Sequence, residues 1–294
     1  MRKILLGLCL LIVLGAAVFW WVTRPERVGD AVAGLSGNAS AGEAVFWAGG
    51  CANCHAAPEA KDDARLVLAG GQSFATQFGT FYAPNISPSE AGIGGWSLED
   101  LADAVMAGGS PGGQHYYPAF PYVAYAHAAP QDIADLKAFL DTLPASDAPS
   151  RDHEVGFPFS IRRMLGGWKF LFADDAWVLD GELSDQLARG RYLVEALGHC
   201  GECHTPRNAL GGLERDRWLS GAENPSGQGR IPNITPAALD WSEAEIAEYL
   251  NSGFTPEFDS AGGEMVAVIE SIAHLSDADR QAIAAYLKQV PAVE

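Results

Sequence analysis

Two copies of one pentapeptide, Cys51-Ala52-Asn53-Cys54-His55 and Cys200-Gly201-Glu202-Cys203-His204, constrain this chain more than anything else in it. Each is a C-x-x-C-H, the attachment signature of c-type haem. On a helical turn, two thiols three residues apart share one side and can add to the two vinyl groups of one porphyrin. The histidine that follows then presents its imidazole to the iron as the proximal ligand. The two copies use four of the five cysteines and leave Cys9, inside an apolar run. The expectation is two covalently bound haem c groups on Cys51, Cys54, Cys200 and Cys203, with His55 and His204 as proximal iron ligands.

Other cysteine chemistry fits less well. A four-cysteine zinc site also pairs C-x-x-C units, but within a few tens of residues; here they are 149 apart (200 minus 51). A thioredoxin-like pair has no need of a histidine after both copies. A disulfide framework belongs to much shorter secreted chains.

Residues 1–22 read as a targeting segment. Arg2 and Lys3 precede an uncharged run over residues 4–22 that ends in Trp20 and Trp21. Nineteen apolar residues (22 minus 4, plus one) just span a bilayer core, whereas a cleaved signal has a shorter apolar region and a small-residue cleavage site. An uncleaved anchor is therefore expected, with the tryptophans at the membrane interface. Leu8 precedes Cys9 where a lipid-attachment motif wants a small residue. Bacterial c-type haem is attached outside the cytoplasmic membrane, so the soluble part is expected on the periplasmic side. The net charge of -18 and pI near 4.7 argue against a nucleic-acid partner. They favour solubility or a basic protein partner whose attraction salt would screen.

The rest of the chain repeats itself. Residues 41–50 and 186–198 read as helices that deliver the two cysteine motifs. Pro84-Asn85-Ile86-Ser87-Pro88 matches Pro232-Asn233-Ile234-Thr235-Pro236. Ser97 and Ser242 each follow a tryptophan and read as N-caps, and Gly108 and Gly253 as stops. Residues 131–143 and 276–290 close each half as a last helix. The expected layout is an anchor over 1–22, a tether over 23–38, a haem domain over 39–148, a linker over 149–180 and a second haem domain over 181–294. Strand signals are scarce. The linker holds Phe157-Pro158-Phe159 and Gly166-Gly167-Trp168-Lys169-Phe170-Leu171-Phe172. It is expected to pack across the domain boundary, with a docking surface for a partner subunit as the alternative.

The stretch Tyr192-Leu193-Val194-Glu195-Ala196-Leu197-Gly198-His199-Cys200-Gly201-Glu202-Cys203-His204-Thr205-Pro206-Arg207-Asn208 carries a resemblance, with Gly92-Ile93-Gly94-Gly95-Trp96-Ser97, Tyr117-Pro118-Ala119-Phe120-Pro121-Tyr122 and Phe157-Pro158-Phe159. The chain resembles diheme c-type cytochromes related to the cytochrome subunits of membrane-bound alcohol, gluconate and aldehyde dehydrogenases, over nearly everything after residue 38. The resemblance implies an all-α chain of two tandem cytochrome c-like domains joined by an aromatic-rich linker. It implies electron transfer from a periplasmic or membrane-bound dehydrogenase to the respiratory chain, through a cytochrome, oxidase or quinone-side acceptor. The alternative is a diheme enzyme, peroxidase-like or thiosulfate-oxidising, with the first haem as its active site.

A haem that only carries electrons takes a second axial residue, Met or His. Met265, after Gly262-Gly263-Glu264 in the loop before the last helix, is the expected distal ligand of the second haem. The offset of 145 (265 minus 120) puts Phe120 at the matching place in the first half, and phenylalanine cannot ligate iron. Ala128 stands where relatives can carry another methionine. His127 is therefore the candidate for the first haem, with His115 or no protein ligand as its rivals. Met106 reads as core. Arg207 and His199 read either as propionate partners or as ordinary surface residues, and His153 as a surface residue. Asn85 and Asn233 read either as loops near a haem edge or as turn formers.

Overall fold

The computed structural model describes residues 1–294 apart from 226 and 228. Helix α1, Arg2–Val22, buries none of its residues and has a mean hydropathy of 2.6 over its most apolar window. Its 21 residues rise about 30 Å, the thickness of a bilayer core. The chain does not then hang free. Thr23 and Val32 are fully buried. The Asp103 carboxylate accepts from the Val28 and Gly29 amides at 2.6 and 2.9 Å and from Arg27 at 2.7 Å. Residues 23–38, expected as a tether, are thus built into the first domain.

In that domain α2, Ala39–Ala48, starts at Asn38, whose side chain accepts from the amides of Ser40 and Ala41. A single turn, α3 (Cys51–His55), follows a left-handed Gly50. Strands β1 (Ser73–Thr76) and β2 (Gly79–Tyr82) form a short hairpin. Helix α4, Leu98–Ala107, opens with a capping box between Ser97 and Asp100 and ends at Gly108, at φ +59. The four-residue α5 (Tyr122–Tyr125) leads into α6, Pro130–Leu140, with proline in its first turn. Helices α2 and α6 cross closely. A Cβ on Gly42 would lie 1.9 Å from the Asp135 carbonyl oxygen, so only glycine allows the approach.

The linker supplies β3, Glu154–Val155, as a third strand beside β2. It then forms α7, Met164–Phe172, with only Gly166 buried. Lys169 donates to the carbonyls of Ala107 and Gly108 in the first domain. Trp168 donates to Leu210 in the second, so the linker bridges both while leaving Phe157 and Phe170 exposed.

The second domain repeats the plan with α8 (Asp185–Arg191), α9 (Gly201–His204), the strand pair β4 (Ala222–Glu223) and β5 (Arg230–Ile231), then α10 (Glu243–Ser252), α11 (Met265–Ile272) and α12 (Asp277–Leu287). Ser242 and Glu245 form the capping box of α10, and Gly253 stops it at φ +77. Gly190 matches Gly42: its Cβ would lie 2.0 Å from the Ala282 carbonyl oxygen. From that contact to the first cysteine there are nine residues in the first domain (51 minus 42) and ten in the second (200 minus 190). The extra residue is absorbed as a π-helical turn over Tyr192–Leu197. Both ends of the segment are fixed, so the surplus has nowhere else to go.

The two domains cross over. Domain two lays α11 and the turn after it on α2 and α3, where His274 stacks on Trp47 at 3.8 Å. Buried Arg65 donates to Asn53 at 2.6 Å, Ser271 at 2.9 Å and Glu270 at 3.1 Å. In return, α5 of the first domain meets the π turn. There the Tyr192 hydroxyl donates to Asp132 at 2.5 Å and accepts from the Ala129 amide at 2.9 Å.

Candidate haem-binding site

Each cysteine motif folds as one helical turn, so its two sulfurs face one side and its histidine the same space. The ring Nδ1 of His55 donates to the Pro84 carbonyl at 2.9 Å, and that of His204 to Pro232 at 2.8 Å. A carbonyl only accepts, so Nδ1 carries the proton and Nε2 keeps its lone pair. The backbone repeats the frame: the Gly70 amide donates to the His55 carbonyl and the Gly221 amide to that of His204, both at 2.7 Å.

The proline loops are held by their asparagines. Asn85 Oδ1 accepts from the Ser87 amide at 2.8 Å, and its Nδ2 donates to Ser146 and Ala148. Asn233 Oδ1 accepts from Thr235 at 2.8 Å, and its Nδ2 donates to Val293 at 2.7 Å. Each asparagine closes a turn and ties that loop to the chain beyond the last helix of its domain. Both thus hold the loop whose carbonyl orients the motif histidine.

Burial pushes the thiols of Cys51 and Cys200 up to about 12, with the neighbouring motif cysteine adding to it. Burial also holds both histidines below the ordinary imidazole range. A neutral imidazole with a free Nε2 and a pair of uncharged sulfurs are what a thioether-linked haem requires. Among the described residues, two buried donors near the motifs along the chain have no partner: Trp47 Nε1, four residues before Cys51, and Ser220 Oγ, next to Gly221. The residues fit the group. Burial also pushes the thiols of Cys54 and Cys203 up to about 11, with Cys203 and Glu264 adding to it at Cys54 and Glu202 and Glu264 at Cys203. Tyr125 donates to the Gly49 carbonyl at 2.7 Å and packs edge-on to His199 at 5.4 Å. The two attachment turns are neighbours.

The distal candidates fall in different places. Met265, expected in a loop, is the first residue of α11 and packs against the core. His127 stacks on Trp177 at 4.1 Å and lines a cleft with Glu195, His199 and Arg215. His115 is fully buried, with Nε2 bonded to the Thr23 carbonyl at 2.9 Å and Nδ1 unpartnered. Phe120 packs among Tyr116, Tyr122 and Tyr125. Arg207 pairs with Glu202 and donates to the Gly211 carbonyl at 2.8 Å. His199 takes a left-handed backbone at φ 39, where the first motif has Gly50. His153 is not a plain surface residue: its Nδ1 accepts from the Tyr82 amide at 3.1 Å. Arg65 and His274 carried no signal in the sequence, because Glu270 and Ser271, which close over Arg65, and Trp47, on which His274 stacks, each lie in the opposite domain.

Two C-x-x-C-H turns, each with its histidine held by a proline carbonyl, are the frame that a c-type cytochrome with two haems needs. The model of the Cytochrome c family matches residues 39–144 and 187–291, and the chain belongs to that family. It is 58% identical over 295 residues to the diheme cytochrome c-type protein of Cereibacter sphaeroides, covering 100% of this chain and 99% of that one. It is 40% identical to the fructose dehydrogenase cytochrome subunit of Gluconobacter japonicus, over 86% of this chain and 52% of that one. It is 36% identical to the gluconate 2-dehydrogenase cytochrome c subunit of Pantoea cypripedii, over 85% and 59% respectively. The chain thus spans just over half the length of these two dehydrogenase subunits. It is an electron-transfer cytochrome with two covalently bound haem c groups.

Proposed function

We propose that this cytochrome takes electrons from a periplasmic or membrane-bound dehydrogenase and delivers them to the respiratory chain, held at the periplasmic face by residues 4–22. The bound haems supply the redox chemistry; the protein sets their ligation, spacing and exposure. The observation that carries this reading is the adjacency of the two attachment turns, bridged by Tyr125 and His199. It suits passage between two nearby centres. The dehydrogenase subunits among the relatives supply the class of donor.

Met265 is proposed as the distal ligand of the second haem. His127, stacked on Trp177, remains the candidate for the first. His115 in that role would have to give up the Thr23 carbonyl.

The test is to add the purified full chain, in lipid nanodiscs, to a sugar- or alcohol-oxidising membrane dehydrogenase that lacks its own cytochrome. Reduction of the chain that depends on the dehydrogenase substrate is expected. Failure of every such donor to reduce it, with chemical reductants still doing so, would remove this reading.

A further inference from the structure

Helix α7 turns one side to the protein and another away from it. On the inner side Gly166 is buried against Thr23, whose carbonyl oxygen would lie 2.4 Å from a Cβ at Gly166. Met164, Phe170 and Leu171 are 52%, 73% and 65% exposed. Met164 and Leu171, at i and i+7, lie on one line along the helix, and Phe170 stands about 100° round the axis beside Leu171, so the three make a broad apolar stripe. Scattered apolar residues on a surface are ordinary, but a stripe marks a contact.

What lies beside the stripe says what covers it. Where α1 ends, side-chain contacts tie the chain to the start of α7. Thr23 is buried; its carbonyl accepts from His115 at 2.9 Å and its hydroxyl from Arg163 at 2.9 Å. Arg163 also donates to the Trp20 carbonyl, and its guanidinium lies 4.1 Å from the Trp20 ring centroid. Trp20 and Trp21 are both about two-thirds exposed, at 67% and 64%. Such tryptophans settle at the headgroup level of a bilayer. Arg24 lies over Trp21 at 5.3 Å. In a chain of net charge -18, the exit of α1 is thus lined with arginine.

We propose that α7 is a second membrane contact, its Met164, Phe170 and Leu171 stripe resting in the interfacial layer of the bilayer that α1 spans. The occupant is lipid, because the stripe belongs to the element clamped to the last turn of α1. The inference rests on α1 being a retained anchor. Its consequence is that the haem domains are held against the membrane in one orientation.

The test uses the haem-loaded full chain alone in lipid nanodiscs. A nitroxide is placed on native Cys9, or, with Cys9→Ser, on Phe170→Cys, Leu171→Cys or Phe258→Cys. Accessibility to dissolved oxygen and to an aqueous nickel relaxant is then read by EPR power saturation. Phe258, 91% exposed, serves as the water reference. Expected is loss of nickel accessibility at 170 and 171 relative to 258, with Cys9 the most protected. If Cys9 is protected but 170 and 171 match 258, the stripe is wet, the inference is overturned, and the surface is left for a protein partner. If Cys9 itself is wet or has been cleaved off, the anchor reading fails first. Hydroxyl-radical footprinting of the unmodified chain repeats the comparison without cysteine variants. Protection of Met164 in nanodiscs supports the contact, and oxidation of Met164 equal to that in detergent-free solution overturns it.

Discussion

His274 lies flat on Trp47, ring centroids 3.8 Å apart and planes 3° from parallel, one side chain from each domain. The stack is therefore a direct measure of how firmly the halves hold one another. His274→Ala should lower the stability of the haem-loaded chain by about 1 kcal/mol. Trp47→Ala, which also empties a core position, should cost about 3–5 kcal/mol. Denaturant unfolding followed by haem absorbance measures both.

Acid should loosen the same contact. Burial holds His274 below the ordinary imidazole value, and Arg65 adds to it; burial and Arg215 do the same for His127. The unfolded chain takes up these protons near pH ~6.5, the folded chain only at lower pH. Stability therefore falls as pH drops below about 6.5 and levels off beneath the folded values. His274→Gln should flatten part of that slope in unfolding curves between neutral and mildly acidic pH. An unchanged slope would show that the stack does not contribute.

The two asparagines should act on one haem each. Asn85→Ala removes three hydrogen bonds from the first proline loop, and Asn233→Ala loosens the second. Each should cost about 1–3 kcal/mol. In a redox titration each should move one of the two potentials and leave the other in place, because each loop presents one proximal histidine. A shift of both potentials by either variant would contradict this division.

Gly42→Ala and Gly190→Ala place a methyl group within 2.0 Å of a carbonyl oxygen across a helix crossing. Each should destabilise its own domain by about 3 kcal/mol. Thermal unfolding should separate into two steps, with the altered domain melting first.

Met265 can be tested by potential as well as by spectrum. A methionine ligand raises a haem potential relative to a second histidine. Met265→His should therefore lower one potential while both irons stay low-spin. Met265→Ala should leave one iron high-spin in EPR. Two unaltered potentials would exclude Met265 as a ligand.

Much of this layout was legible in the sequence because it rests on local rules. The cysteine turns, the serine caps at Ser97 and Ser242 and the glycine stops at Gly108 and Gly253 depend only on neighbours along the chain. The π turn was not legible: it exists because Gly190 and Cys200 are both pinned by tertiary contacts, which the periodicity of residues 186–198 does not reveal. Residues 23–38 read as a tether because their partner, Asp103, lies some 75 residues away. Met265 read as a loop residue because the glycines before it hid the start of α11. The burial of Arg65 has no local signal, because Ser271 and Glu270 close over it from the other domain.

The crossing of α11 onto α2 also sets an order of events. A ribosome finishes α2, the first cysteine turn and α6 long before it reaches His274. Until then the face carrying Trp47 and Arg65 has no cover. The first domain is thus made as an open half whose last wall arrives with the end of the chain. Truncations short of α11 that keep the first domain should therefore be sticky at that face, and restoring α11 and His274 should remove it.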